Sequence, residues 1–395
     1  MEEIWRSPKS SRFVSERVRK TPPSEIRKFF DLLSSTEGVI SLGIGEPDFV
    51  TPWHITEAGV YAVEKGYTMY TSNYGLAELR EELAHYLWNQ HRAGYDPKSE
   101  ILITVGVSEA FDLAIRATIN PGDEVIIPEP SFVSYPPCVI LAGGIPVFVP
   151  TRVEKEFKLE AKEVEKRITE RTKAIVLSYP NNPTGAVMNR AELLEIAELA
   201  QRHNLIVLSD EIYSRLVYGV EHICFPTLPG MKERTILLGG FSKTYAMTGW
   251  RIGFAAAPAE LIEAMVTIHQ YTIMCAPIMS QKAAVEALRN GERAVNEMLE
   301  EYDRRRRIIV KGLNEIGLTC FEPKGAFYAF PSVKDLGFSS GEFAERLLLE
   351  EKVAVIPGPA FGPSGEGHVR CCYAVSIPEI EEALERMERF VRKYR

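Results

Sequence analysis

Apolar and polar positions along this chain follow two periods in turn. Apolar residues spaced three and four apart predict amphipathic helices at 54–66 and 75–92. Short apolar runs bounded by Gly, Pro or Asp predict buried strands at 101–105, 123–128, 145–149, 173–178, 205–210, 235–239 and 252–257. Most of these strands are separated by helical pattern, so the reading is an α/β fold with a mostly parallel central sheet covered on both faces. The interval 210–235 is long enough for an extra hairpin or loop. A helical block from 258 to 316, broken near Asn290-Gly291, leads into a different texture after Gly317. Strands near 327–331, 353–356 and 368–375 mix there with helices 341–351 and 377–392, which reads as a smaller α+β domain. The expected division is a large domain over 46–290 and a small one from 1–45 together with 291–395. Residues 1–23 read as a polar, basic arm, and Ser24 caps an expected helix through Phe29, Phe30 and Leu33. Val39-Ile-Ser-Leu42 then predicts a strand. It runs into Gly43-Ile-Gly45-Glu-Pro-Asp48, glycines that either punctuate a loop or let backbone approach a ligand.

Composition narrows this picture without changing it. With 395 residues, 45% of them hydrophobic and 25% charged, the chain can bury a large core. A net charge of -8 and a pI near 5.6 argue against nucleic acid as a partner. The basic run Arg304 to Arg307 lies in a Glu-rich helical pattern and reads as a solvated helix face. Six scattered cysteines without metal-ligand spacing point to free thiols in a reducing compartment and to no metal site. The N-terminus lacks an apolar signal core and no apolar run nears 18 residues, so a soluble cytoplasmic protein without membrane partners is expected.

The chemistry gathers at strand ends. Asn182 follows Ala174-Ile-Val-Leu-Ser178, Asp210 follows Leu205-Ile-Val-Leu-Ser209, and Lys243 follows Thr235-Ile-Leu-Leu-Gly-Gly-Phe-Ser242. Ligands of open α/β sheets collect outside the carboxyl ends of the strands, so these three residues can share one crevice. Each also has a plain reading: a turn at Asn182, a helix cap at Asp210, an exposed lysine at Lys243. A desolvated lysine near a second cation, such as Arg251, loses its proton readily and attacks carbonyls. The strand ending at Val105, followed by Gly106-Val107-Ser108 and a helix from Glu109 to Thr118, has the form of an anion site. Tyr213, three residues beyond Asp210, is a further polar candidate or a core aromatic.

In combination and order, several stretches resemble one family. They are Leu42-Gly-Ile-Gly-Glu-Pro-Asp-Phe49, Tyr179-Pro-Asn-Asn-Pro-Thr-Gly185, Ser209-Asp-Glu-Ile-Tyr213, Phe241-Ser-Lys-Thr-Tyr-Ala-Met-Thr-Gly-Trp-Arg-Ile-Gly253, Pro323-Lys-Gly-Ala-Phe-Tyr328 and His368-Val-Arg370. From about residue 20 onward the chain resembles the class I/II aminotransferases, fold-type-I enzymes dependent on pyridoxal 5'-phosphate. The resemblance implies that Lys243 carries the cofactor as an imine, that Asp210 pairs with the pyridine nitrogen, and that Asn182 and Tyr213 donate to the ring oxygen. It further implies Gly106, Val107, Ser108, Ser242 and Arg251 around the phosphate, Phe132 stacked on the ring, and Arg370 with the backbone of Gly45 on the substrate carboxylate. Tyr70 would reach the phosphate of a neighbouring subunit, which makes a homodimer with shared active sites the expected assembly.

The implied reaction moves an α-amino group from an amino acid to a 2-oxo acid such as 2-oxoglutarate. Aspartate-handling relatives often carry a basic residue where this chain has Ser108. An aromatic or broad donor range is therefore preferred, with Tyr135, Phe327, Tyr328, Phe361 and the N-terminal segment as candidate pocket walls, and aspartate stands as the alternative. The same lysine and fold also serve lyases. An amino-acid-sensing regulator of this family would carry a DNA-binding module ahead of Pro22.

Overall fold

The computed structural model describes residues 13–23 and 37–395, so the helix expected from Ser24 lies outside the described residues, as do residues 1–12 of the arm. Among the described residues twelve strands follow in chain order: β1 (Ile40–Ser41), β2 (Ile101–Thr104), β3 (Glu124–Glu129), β4 (Ile145–Pro150), β5 (Thr172–Ser178), β6 (Ile206–Asp210), β7 (Thr235–Gly240), β8 (Gly253–Ala256), β9 (Tyr328–Ala329), β10 (Val353–Ala354), β11 (Ile356–Pro357) and β12 (Val369–Cys372). Seven of them form the central sheet in the order β2-β8-β7-β6-β5-β3-β4. Its pairs are parallel except where β8 meets β2 and β7. Parallel neighbours need a crossover, usually a helix, and residues 241–252 between β7 and β8 form none, so the chain returns beside β7 in the opposite direction.

Alternation along the strands sends side chains to two covered faces. Leu208 of β6 joins the cluster that holds Phe111 and Ile115 of the helix Gly106–Thr118, while Val207 joins Ile196 and Leu199 on the other side. Asp210, two residues beyond Leu208, thus shares a face with that helix. The helix itself begins at Gly106, three residues before the expected Glu109, so the glycine turn is its first turn.

A second core is built on two small sheets, β1 paired with β10, and β11-β12-β9. The single strand expected over 353–356 divides, because β10 bonds to β1 while β11 bonds to β12. The strand expected at 327–331 shortens to two residues. In the interval 210–235 no hairpin forms among the described residues; Val217 bridges to Gly325, and turns of 3-10 helix span Phe225–Thr227 and Lys232–Arg234. The helical block is broken not only before the helix Glu292–Glu315 but also between Thr272 and Ile278.

One expectation is overturned on that last helix. Arg305 and Arg306 are each only 6% exposed, because helical periodicity aligns them with Tyr302 and Ile309 on the buried stripe. Arg305 is neutralised by Asp48 at 2.7 Å and Glu301 at 3.0 Å, and Arg306 by Asp303 at 2.7 Å and Glu322 at 2.6 Å. Only Arg304 and Arg307 face solvent.

Candidate active site

Asn182, Asp210 and Lys243 follow or end β5, β6 and β7, which lie side by side in the sheet with Ser178 opposite Asp210 and Asp210 opposite Leu238. All three line one cavity of about 400 Å³. Val107, Ser108, Phe132, Tyr213, Ser242, Arg251, Arg370 and Gly45 line it too, so the structure brings together nearly all the residues singled out in the sequence.

Asp210 is buried, and its two oxygens are held by the Tyr135 hydroxyl at 2.8 Å and the Ile212 amide at 3.2 Å. Burial pushes its carboxyl up to about 6, against the opposing pull of those two donors. Tyr135 was expected as a wall of the pocket. It lines the cavity, but its hydroxyl is committed to Asp210, 75 residues away in sequence. That partnership had no sequence signal beyond the position of Tyr135 in the same turn as Phe132.

Lys243 points its amine at the Gly45 carbonyl, 2.7 Å away. Desolvation is the largest influence on it and, with Arg370 and Arg251 adding repulsion, brings its pKa down to about 8. Near that pH a substantial fraction is the free amine, whereas exposed lysines remain almost wholly protonated. Competitive acylation of the protein stripped of ligands should therefore show Lys243 gaining reactivity with a midpoint near 8, well before surface lysines. A midpoint near the ordinary lysine value would contradict the desolvated setting.

The anion end of the cavity is made by the helix Gly106–Thr118 and by Arg251. Gly106 has φ +76°, a backbone conformation that favours glycine, and a Cβ there would come 2.7 Å from Arg251 Nη2 and push that guanidinium aside. The Arg251 guanidinium packs over the first turn of the helix and donates to the Thr248 carbonyl at 3.1 Å. Free first-turn N–H groups, a helix dipole, the Ser108 and Ser242 side chains and a guanidinium thus converge, a donor set suited to a phosphate.

At the opposite end Arg370 is 4% exposed, yet among the described residues it has no carboxylate partner. Its Nη1 donates to Asn182 Oδ1 at 3.0 Å, its Nη2 to the Gly43 carbonyl at 2.6 Å, and its Nε has no partner. The bond to Oδ1 fixes the Asn182 amide with its N–H groups free for another acceptor. Tyr213 is also buried, its hydroxyl 2.7 Å from that of Tyr328. Phe327 and Phe361, expected as pocket walls, do not line the cavity; Phe327 packs edge-on against Tyr213 and Phe361 stacks under the Arg370 guanidinium. Tyr70 lies outside the cavity and is 78% exposed.

Residues 37–387 match the family described as Aminotransferase class I and II. The chain belongs to that family. The putative aminotransferase YugH of Bacillus subtilis is 57% identical over 96% of this chain and 99% of its own. An aspartate aminotransferase of Pyrococcus abyssi is 51% identical over 96% and 98%. The crystal structure of an aromatic aminotransferase from Pyrococcus horikoshii superposes with a TM-score of 0.89, at 49% identity and 93% and 99% coverage. This aminotransferase thus has the fold-type-I α/β architecture that its residue pattern implied, and no helix among its described residues is long and apolar enough to cross a membrane. Its family works with pyridoxal phosphate, and the cavity fits that group: an anion cradle that a Cβ at residue 106 would fill, a lysine within the cavity, and a buried carboxylate facing it.

Proposed function

We propose that this aminotransferase binds pyridoxal phosphate at Lys243 and takes aromatic or broadly apolar amino acids as donors, with a 2-oxo acid such as 2-oxoglutarate as acceptor. The observation that carries the substrate end is Arg370, a buried cation whose described surroundings hold no carboxylate and whose Nε is unpaired. Such a guanidinium calls for an anion from outside the chain, and its fork suits an α-carboxylate. The Gly45 backbone assists on the same carboxylate.

Bound cofactor supplies an aldehyde for the donor's amino group and a ring that takes up the electron pair left when the Cα–H bond breaks. Arg370 orients that bond. Lys243 Nζ, as a free amine, would serve as the base that takes the α-proton and as the acid that gives it back. Asp210 would hold the proton on the ring nitrogen, Asn182 and Tyr213 would donate to the ring oxygen, and Phe132 would pack on the ring face. Gly106, Val107, Ser108, Ser242 and Arg251 would hold the phosphate.

The preference for aromatic donors rests on the walls. Among the described residues the cations lining the cavity are Lys243, Arg251 and Arg370, each with a role above, and none of these is left for a second substrate carboxylate. Phe111, Phe132 and Tyr328 offer apolar surface instead. Aspartate stays as the second reading because the Pyrococcus abyssi relative carries that name. A panel of single amino acids mixed with the cofactor-loaded protein, followed by visible absorbance, decides between them. Phenylalanine and tyrosine should convert the cofactor faster than aspartate; conversion by aspartate alone would sink the preference, and conversion by none would sink the reaction.

A homodimer is proposed on the exposed apolar surface of Trp53, Tyr61, Val63, Met69 and Tyr70. A second copy covering it would bring Tyr70 to the phosphate of the partner's site. Sedimentation as a monomer at micromolar concentration would count against this assembly.

A further inference from the structure

Tyr328, the first residue of β9, is 1% exposed and borders the cavity. Its hydroxyl lies 2.7 Å from the Tyr213 hydroxyl and 3.4 Å from the Gly45 carbonyl, the oxygen that also accepts from Lys243. The Arg370 guanidinium sits over its ring, 4.6 Å from the centroid. A Cβ on Gly45 would come 2.6 Å from the Tyr328 hydroxyl but 3.4 Å from the nearest ring carbons, so it is the hydroxyl that demands glycine at 45.

Proton counting gives this contact a direction. Each phenol has one hydrogen to donate. If Tyr213 donates to Tyr328, as the 2.7 Å contact allows, none is left for a ligand. If Tyr213 donates into the cavity, the hydrogen between the two hydroxyls must come from Tyr328, which then relinquishes its long contact to Gly45. A hydroxyl that receives a hydrogen bond is a stronger donor in turn. We propose that Tyr328 is a positioning residue: its hydroxyl turns the Tyr213 proton toward the cofactor's ring oxygen, and its ring holds the Arg370 fork for the substrate carboxylate. The proposal rests on the roles given above to Tyr213 and Arg370.

Two substitutions separate the two tasks. Tyr328→Phe keeps the ring and removes the hydroxyl. It should raise the midpoint of the visible pH titration of the cofactor-loaded enzyme by roughly half a unit, because a weakened Tyr213 stabilises the deprotonated chromophore less. It should leave the donor KM within about twofold. Tyr328→Leu should give the same titration shift and in addition raise the donor KM about tenfold, through loss of the cation–π contact. A third measurement needs neither cofactor nor turnover. Gly45→Ala should lower the melting temperature of the ligand-free protein in the original background and much less in the Tyr328→Phe background. A titration midpoint unmoved by both variants, or a KM equally unmoved by Tyr328→Leu, would overturn the proposal even if the amino acid panel succeeds. Absence of any amino acid conversion by the unaltered enzyme would instead overturn the functional reading, with the Gly45 rescue still able to stand.

Discussion

Lys243→Ala should lower transamination by at least about 10⁴-fold, the upper range for loss of an acid–base group, since the amine proposed to move the α-proton is also the one proposed to form the covalent link. Among the described residues Lys243 is the only lysine bordering the cavity, so none of the others there is placed to move the α-proton. Its amine makes one hydrogen bond, to the Gly45 carbonyl, and its removal leaves the helix Gly106–Thr118 and Arg251 untouched. Cofactor should therefore still bind, through the phosphate contacts, while the absorbance of the linked form disappears. Lys243→Arg keeps the charge without a usable amine and should be as inactive. Steady-state rates and the visible spectrum check both; near-normal turnover in Lys243→Ala would mean that another lysine does the chemistry.

Arg370→Leu lowers kcat/KM for every amino donor by about 10²–10⁴-fold, the equivalent of two hydrogen bonds to a charged group at about 1.5–3 kcal/mol each. Arg370→Lys should recover only part of this, because an ammonium lacks the planar fork. Arg370→Leu should leave the melting temperature of the ligand-free protein unchanged or raise it. Among the described residues this buried cation has no carboxylate beside it and its Nε is unpaired, a cost to the fold that leucine removes. Loss of activity together with gained stability is the mark of a residue retained for its ligand. A large fall in melting temperature with unaltered KM would show instead that Arg370 is a structural brace for Asn182 and Gly43.

Parts of the site were readable because they follow from chain order and period. Asn182, Asp210 and Lys243 come after apolar runs of strand length, and strands of a parallel sheet present their carboxyl ends on one edge. Gly106 was readable because a glycine between a strand and a helix has few other uses. Tyr135 and Tyr328 were seen only as aromatic walls. Their hydroxyl partners lie 75 and 115 residues away, and a tyrosine in the sequence does not say which way its oxygen turns. The run Arg304 to Arg307 misled for a related reason. Four adjacent cations span a full helical turn, so some must face the interior, and the carboxylates of Asp48 and Glu322 that make this tolerable come from elsewhere in the chain.

Local chemistry, then, was written in the amino-acid order: the alternation of strand and helix, the glycine turn, the lysine, acid and amide at strand ends, and through them the family. These depend on residues within one element and on rules of connection that hold for any such chain. Tertiary structure alone decided the direction of β8, the burial of Arg305 and Arg306, the tyrosine behind Asp210, and the absence, among the described residues, of a carboxylate beside Arg370. Each is a relation between segments far apart in sequence, set by how two cores pack around one cavity, and no periodicity within a single segment encodes it.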